Sequence, residues 1–220
     1  KKFYINNGEA EFYILERKRI FFYGYGFKHR INKLSKEYLL DKINFKENDN
    51  IIDCGANIGE FFYCLPSKIN YFAFEPSLPE YQCLNSNLVT KNVNLYNVGL
   101  WNKNTNLDFY FNHEDADSSF VKPSKFFYKN KLKVKRFDNI FLNDFKIKLL
   151  KLEAEGCELE VLEGCGKLLN NIEYIAADLG FERGIKKEST LIPVKNYLEK
   201  FNFKEVTRNS ERLVVLFKKI

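Results

Sequence analysis

The chain has 220 residues, a formal net charge of +6, and 28 Lys against seven Arg. This length suits one α/β domain with modest additions. No apolar run approaches the roughly 18–20 residues of a membrane span, so we expect no transmembrane segment. The residues Lys1-Lys2-Phe3-Tyr4 have no signal-peptide character. The small number of Arg residues argues against a nucleic-acid partner. The five cysteines include no C-x-x-C pair, which favours a reducing, cytoplasmic location.

Residues 1–45 are predicted to form an N-terminal extension to a domain that spans residues 46–220. Residues 11–15 and 19–23 are expected to pair as a hairpin, and residues 37–43 to form a short helix. Basic and aromatic side chains alternate through the second half of this extension. They indicate either a lid over an anionic or sugar substrate, or a hairpin with a solvated basic face and an aromatic face that covers the sheet.

Residues 51–65 have the pattern of a buried strand, a tight turn and a helix. The apolar run ends in Asp53, the chain turns at Gly55, and a helix is predicted to begin at residues 57–59. Such a turn presents backbone N–H groups and a positive dipole end to a ligand carboxylate or phosphate. A second apolar run ends in Glu75, where nucleotide-binding folds grip ribose hydroxyls.

The spacing of these residues selects among ligands. Gly55 and Gly59 frame three other residues, so the second glycine of a dinucleotide G-x-G-x-x-G fingerprint is missing, and no phosphate loop is present. The pattern D-x-G-x-N-x-G followed by E-P suits a ligand with an amino-acid end and a ribose but no pyrophosphate. S-adenosylmethionine fits this description and is the predicted cofactor.

The remaining elements continue an alternation of strands and helices. Ser77 and Glu80 indicate a capping box for a helix that ends near residue 89. Further strands are predicted at residues 94–98, 105–111, 131–136, 148–152 and 172–179, helices at 158–169 and 191–200, and a closing antiparallel pair at 202–206 and 212–218. This order predicts a doubly wound α/β sandwich.

Four motifs occur in order: DCGANIG at 53–59, FEP at 74–76, DSS at 117–119 and LKLEAEGCELEVLEG at 150–164. With them, roughly residues 50–180 resemble the FkbM-type S-adenosylmethionine-dependent methyltransferases. The resemblance implies a Rossmann-like seven-stranded class I methyltransferase sandwich with a reversed seventh strand, here carrying an N-terminal hairpin/helix extension. Glu153 and Ala154 depart from the usual Asp and Val of the family pattern.

The resemblance also implies roles for individual residues. Glu75 would accept hydrogen bonds from the ribose, and Glu153 would lie beside the sulfonium and the acceptor. The expected cofactor-binding residues are Asp53, Gly55, Asn57, Ile58 and Gly59 at the methionine end, Glu75 at the ribose, and Pro76, Ser77 and Leu100 around the adenine.

Catalytic candidates follow from the need to align an acceptor and to remove a proton from a hydroxyl. Lys151 and Glu153 share one strand face, and Glu155 would join them if the strand continued. These residues indicate either a group that orients or deprotonates the acceptor, or an internal ion pair. His29 is a further candidate base because it lies in the aromatic, basic extension, while Asp178 and Glu182 either contact the acceptor or cap a turn.

The sequence therefore predicts a methyltransferase that most simply O-methylates a small-molecule acceptor, carbohydrate-like or phosphorylated, such as a glycan, lipid or secondary-metabolite precursor. N-methylation, methylation of a phosphate oxygen, and a non-catalytic cofactor-binding module stay open as alternatives. Asp115, Asp117, Glu153 and Glu155 are the residues that could surround a divalent cation, but nothing fixes their geometry and no metal is predicted.

Overall fold

The computed structural model describes residues 3–6, 11–89, 91–112 and 118–220. Its α-helices are α1 (Phe27–Glu37), α2 (Leu78–Leu88), α3 (Glu158–Cys165) and α4 (Leu191–Glu199). Its strands are β1 (Phe3–Asn6), β2 (Glu11–Ile14), β3 (Asn50–Cys54), β4 (Asn70–Phe74), β5 (Val93–Tyr96), β6 (Gly99–Trp101), β7 (Thr105–Phe111), β8 (Tyr128–Arg136), β9 (Ile147–Leu152), β10 (Ile172–Asp178), β11 (Phe203–Asn209) and β12 (Val214–Lys219). Short 3-10 helices lie at Arg17–Tyr23, Leu40–Lys42, Glu60–Cys64, Phe137–Asn139 and Gly166–Asn171.

Seven strands form the main sheet in the order β11-β12-β10-β9-β3-β4-β5. Strands β10, β9, β3, β4 and β5 are parallel, and β12 runs antiparallel to both of its neighbours, β10 and β11. The Rossmann-like class I sandwich with a reversed seventh strand is therefore confirmed. A separate three-stranded sheet, β6-β8-β7, contains the strands predicted at residues 105–111 and 131–136, and there β7 and β8 pair antiparallel.

Helices cover both faces of the main sheet, which explains why its central strands are apolar on both sides. Side chains of α3 and α4, including Val161 and Leu198, pack on one face with Ile52 and Leu150. Side chains of α1 and α2 pack with Ile51 and its neighbours on the other face. Within the described residues, no helix combines the length and the apolar character needed to cross a bilayer.

The predicted hairpin of the extension is wrong in its pairing. Strand β2 pairs with β1, with Phe12 opposite Ile5, and residues 17–23 form a 3-10 helix. Arg19 and Tyr23 of this 3-10 helix both contact the buried Glu60 carboxylate, and these contacts hold the segment against the sheet domain.

Several helices are shorter than predicted, for local reasons. The helix expected through residue 65 is only the 3-10 turn Glu60–Cys64, because Pro66 forces the residue before it into an extended conformation. Helix α3 ends at Cys165, and a positive φ at Gly166 separates it from the next 3-10 turn. Residues 37–43 divide between the end of α1 and the 3-10 helix Leu40–Lys42.

Candidate active site

A cavity of about 620 Å³ lies at the carboxyl edge of the main sheet. Strand β3 has β4 on one side and β9 on the other. The chain therefore continues from β3 toward one edge of the sheet through β4 and β5, and later toward the other edge through β9 and β10. Open α/β sheets bind ligands in the crevice at such a switch point. The volume falls within the range of about 300–1,000 Å³ that is usual for small-molecule sites.

The loop after β3 lies directly against the end of β9, which explains the glycine of the motif. Gly55 has φ +76°, and a Cβ there would lie 1.9 Å from the Glu153 carbonyl oxygen. The N–H groups of Gly55 and Ala56 donate to the Phe74 carbonyl at 3.0 and 3.1 Å. Because these donors are already used, the loop does not form the open helix N-terminus that the sequence predicts.

Glu75 follows β4 and lines the cavity with a carboxylate that two backbone groups hold in place. Its Oε2 accepts from the Asn57 N–H and its Oε1 from the Ser77 N–H, each at 2.9 Å. Burial raises the pKa of Glu75 to about 8, helped by the charge of Glu80 and opposed by the two N–H donors. Each carboxylate oxygen keeps a second lone pair, so ribose hydroxyls can still donate to Glu75.

The Ser77 hydroxyl donates to the Glu80 carboxylate. It does not bond to a backbone N–H group of helix α2, so the predicted capping box does not form. Six predicted cofactor residues line the cavity: Gly55, Asn57, Glu75, Pro76, Ser77 and Leu100.

Three other predicted cofactor residues, Asp53, Ile58 and Gly59, are not among the residues that line the cavity. Ile58 is buried in the cluster beneath β2. A Cβ on Gly59 would lie 2.8 Å from the Leu84 side chain, so this glycine allows the loop to approach α2.

Asp53 instead anchors Lys151 from the neighbouring strand. Lys151 is 2% exposed, and its Nζ lies 3.0 Å from Asp53 Oδ1, 2.9 Å from Glu153 Oε2 and 2.6 Å from the Gly55 carbonyl oxygen. The Tyr71 hydroxyl donates to the other Asp53 oxygen. Burial alone would lower the pKa of Lys151, but the two carboxylates outweigh it and raise the pKa. Lys151 is therefore a fixed cation and not a base.

Glu153 joins Lys151 to a second cation, Arg212. The Arg212 guanidinium contacts Glu153 Oε1 and donates from Nε to Asp178 Oδ2 at 2.7 Å. Burial opposes ionisation of Glu153, yet the two cations lower its pKa well below the usual range. Glu153 thus lines the cavity as a carboxylate with little basicity, and Lys151 and Glu153 form the internal ion pair that the sequence leaves open.

The remaining catalytic candidates have different surroundings. Glu155 lines the cavity, but β9 ends at Leu152 and Glu155 has φ +49°, so it does not continue the strand face. The ring of His29 is exposed on α1 with its centroid 5.2 Å from that of Tyr25, and the structure does not bring it to the cavity. Asp115 and Asp117 lie outside the described residues. Among the residues that the structure describes, no cluster of His, Cys, Asp or Glu side chains is suited to bind a metal ion.

Arg19 and Arg30, which line one side of the cavity, contact the buried Glu60. Its carboxylate accepts from the Tyr23 hydroxyl at 2.7 Å and pairs with Arg30 at 2.8 Å and with Arg19 at 3.2 Å. Burial acts to raise the pKa of Glu60, but the two arginines lower it overall.

Arg19 also reaches the motif loop, where its Nη1 donates to Asn57 Oδ1 at 3.0 Å. Its Nε is buried without a hydrogen-bond partner among the described residues. One donor of a cavity-lining cation is therefore available to an anion.

Sequence reasoning missed Arg212, Glu60 and Tyr38, which all line the cavity. The turn between β11 and β12 was the available signal for Arg212, since a reversed last strand begins at the carboxyl edge. Glu182, which the sequence offered only as one of two interpretations, also lines the cavity. Burial and the charges of Asp178 and Glu153 raise the pKa of Glu182 to about 8.

The order of strands in the main sheet and the position of this cavity are those of the class I methyltransferases. The Methyltransferase FkbM domain family matches residues 53–205, so the chain belongs to that family. Comparison with curated protein sequences finds no match.

Three solved structures illustrate the likeness in fold. The methyltransferase FkbM of Methylobacillus flagellatus KT has 18% identity and a TM-score of 0.60 over 86% of this chain, which spans only 50% of that protein. A Clostridium thermocellum protein assigned as an rRNA methylase has 12% identity and a TM-score of 0.53 over 85% of this chain and 95% of its own. A Streptococcus mutans protein assigned as a methyltransferase, in complex with SAH, has 14% identity and a TM-score of 0.51 over 86% and 97%.

Proposed function

We propose that the protein is an enzyme that transfers a methyl group from S-adenosylmethionine to a hydroxyl of a small, sugar-like or anionic acceptor. One observation carries this proposal: a single cavity is lined both by the motif residues Gly55, Asn57 and Glu75 and by the charged groups Glu153, Glu182 and Arg212. The first set suits a nucleoside with an amino-acid tail. The second set suits a polar acceptor next to it.

The residues present fit the cofactor. Glu75 would accept hydrogen bonds from the ribose hydroxyls, and Pro76, Ser77 and Leu100 would flank the adenine. The unpaired Nε of Arg19 would donate to the carboxylate of the methionine moiety. When bound, S-adenosylmethionine supplies a methyl group already activated by its sulfonium.

Two carboxylates divide the work on the acceptor. Glu153 has a low pKa and two cationic partners, so it would orient a hydroxyl by accepting its hydrogen bond. Glu182 has a pKa of about 8 and would take the proton, since a base is most effective when its pKa is near the operating pH. Lys151 and Arg212 would hold Glu153 in place, and Tyr38 would exclude water from this end of the cavity.

The proposal extends to setting and partners. The five cysteines are free thiols, and four of them are buried, which supports a reducing compartment and hence a cytoplasmic enzyme. The acceptor would belong to glycan, lipid or secondary-metabolite modification, with no nucleic-acid partner. Methylation of nitrogen or of a phosphate oxygen would use the same cavity.

Formation of S-adenosylhomocysteine in the presence of a panel of cell-derived glycans, lipids and small metabolites tests the function. We expect one acceptor fraction to give product, and Glu182→Gln to lower the turnover by roughly 10²–10⁴-fold while binding of the cofactor is retained. The exposed Glu188→Gln, in the same loop, is the matched control and should keep full activity. Cofactor binding with no product from any fraction would favour the non-catalytic binding module.

A further inference from the structure

Three segments beside the cavity expose large apolar side chains to solvent. We call residues 17–25, 120–128 and 181–187 together the rim. The rim side chains and their exposed fractions are Phe21 88%, Phe22 56%, Tyr25 87%, Phe126 39%, Phe127 59%, Tyr128 41%, Phe181 68% and Ile185 64%. Single exposed apolar residues are ordinary, but a collection of this size around one opening indicates a contact surface.

Contacts locate all three segments at the carboxyl edge of the main sheet. The first is joined to the loop after β3 by the hydrogen bond from Arg19 to Asn57. The second begins directly after Ser119, whose hydroxyl donates to the Glu155 carbonyl at 2.7 Å in the loop after β9. The third directly follows β10.

Each segment also lines the cavity, through Phe22, Phe120 and Glu182 respectively. The exposed apolar groups therefore lie next to the entrance of the proposed active site and not on a remote face.

The charge of the rim has one dominant sign. No Asp or Glu occurs between residues 17 and 36 or between residues 118 and 137. The exposed cations of the rim and its flank include Arg17, Lys18, Lys28, Lys122, Lys125, Lys186 and Lys187. The acidic residues of the flank are Glu16 and Glu188, and Glu114, Asp115 and Asp117 precede the second segment in the sequence. In the third segment, the one acidic residue, Glu182, lines the cavity.

We propose that the rim docks the protein on an anionic lipid bilayer, with the aromatic side chains inserted among the headgroups and the lysines facing the lipid phosphates. Protruding apolar side chains beside lysines match the two attractions that hold peripheral proteins on anionic membranes. An RNA partner is less well matched, because six of these seven exposed cations are Lys and the bidentate Arg contacts typical of nucleic-acid sites are scarce.

Docking in this orientation turns the cavity entrance toward the headgroup layer. The acceptor class is then a hydroxyl carried by a lipid or by a lipid-linked sugar. This last step rests on the proposed function, whereas docking itself does not.

Co-sedimentation with phosphatidylcholine vesicles, with and without about 30 mol% phosphatidylglycerol, tests the proposal. We expect binding to the anionic vesicles, with much less binding to the neutral ones and a strong decrease between about 0.1 and 0.5 M salt. Phe21→Ser and Phe127→Ser should each weaken binding about tenfold, and Lys122→Ser about fivefold.

Matched controls lie on the opposite edge of the sheet. Leu142 is 79% exposed in the segment before β9, and Lys200 is exposed just after α4, so Leu142→Ser and Lys200→Ser should leave vesicle binding unchanged. All five variants change exposed side chains, and equal thermal midpoints will establish that they are folded.

Absence of vesicle binding, equal loss in the control variants, or displacement from vesicles by mixed-sequence RNA would overturn the proposal. So would a rim-dependent dimer, seen by sedimentation velocity, without vesicle binding. Calorimetry with S-adenosylmethionine in the absence of vesicles separates the two claims. Cofactor binding without docking contradicts only the bilayer surface, and docking without cofactor binding contradicts only the proposed function.

Discussion

Arg19 links the N-terminal extension to the proposed cofactor site, and its expected effect depends on one functional group of the ligand. Because its free Nε is assigned to the methionine carboxylate, Arg19→Gln should weaken S-adenosylhomocysteine binding about tenfold or more. Binding of 5′-methylthioadenosine, which lacks the carboxylate, should not change. Calorimetric titration of both ligands measures the difference.

The exposed neighbour Arg17 supplies the control, since Arg17→Gln removes the same charge without lining the cavity. Equal weakening of both ligands by Arg19→Gln would assign the residue to the ribose end or to folding, and the carboxylate contact would be rejected.

Asp53 is the residue whose role changes most between sequence and structure. It is fully buried against Lys151 and Tyr71, so Asp53→Asn should lower the free energy of unfolding by about 2–3 kcal/mol, the value of a hydrogen bond to a charged group. Urea unfolding measures this loss. The exposed pair of Glu47 with Lys68 gives the control, because Glu47→Gln should cost less than about 1 kcal/mol. A stable Asp53→Asn that fails to bind cofactor would restore a direct binding role.

At the scale of elements, Glu60 fastens the 3-10 helix Arg17–Tyr23 and helix α1 to the sheet domain. Glu60→Gln leaves Arg19 and Arg30 facing a neutral amide, so we expect a loss of about 3 kcal/mol or more in stability. Amide hydrogen exchange should accelerate in α1 before it does so in β9.

Asp41→Asn is the control within the same extension, since Asp41 forms an exposed pair with Lys42. Uniform acceleration of exchange throughout the chain would show that the extension does not open as a separate unit.

The core strands could be predicted because the burial of apolar side chains determines their positions. The runs ending at Asp53, Phe74 and Leu152 are largely apolar and mostly buried, so burial alone assigns them to a parallel sheet. Residues 17–23 could not be assigned in this way. Their conformation depends on Glu60, about forty residues further along the chain, and no local pattern reports that contact.

The same distinction applies to the site. Gly55 and Glu75 are visible in the sequence because their positions follow from backbone geometry at strand ends. Arg212 comes from the far end of the chain, and only the folded sheet brings it to Glu153. The roles of Lys151 and Glu182 depend on neighbouring charges, which fix the first as a cation and raise the pKa of the second.

At the scale of the whole molecule, buried carboxyls give stability a definite dependence on pH. In the folded chain the pKa values of Glu75 and Glu182 are about 8 and that of Glu158 about 7, all above the ordinary value of 4.5. Between pH 4.5 and about 8, the folded state binds more protons than the unfolded state. The free energy of unfolding therefore falls as the pH rises through this range. Glu60 and Glu153 have lowered pKa values, and their stabilisation is lost only on further acidification.

Urea unfolding at pH values of about 5.5 and 8.5 tests this expectation, and the unfolding free energy should be lower at the higher pH by at least about 1 kcal/mol. The triple variant Glu75→Gln, Glu158→Gln, Glu182→Gln should lose most of the difference. A rise in stability from the lower to the higher pH would contradict the assigned pKa values.

The central claim is that the crevice between β3 and β4 binds S-adenosylmethionine, with Glu75 accepting hydrogen bonds from its ribose. Calorimetric titration of the wild type, of Glu75→Gln and of the exposed control Glu199→Gln with this cofactor tests it most directly. We predict saturable one-to-one binding by the wild type and by Glu199→Gln, and about tenfold to hundredfold weaker binding by a folded Glu75→Gln. No binding by the wild type, or equal affinity in Glu75→Gln, would contradict the claim.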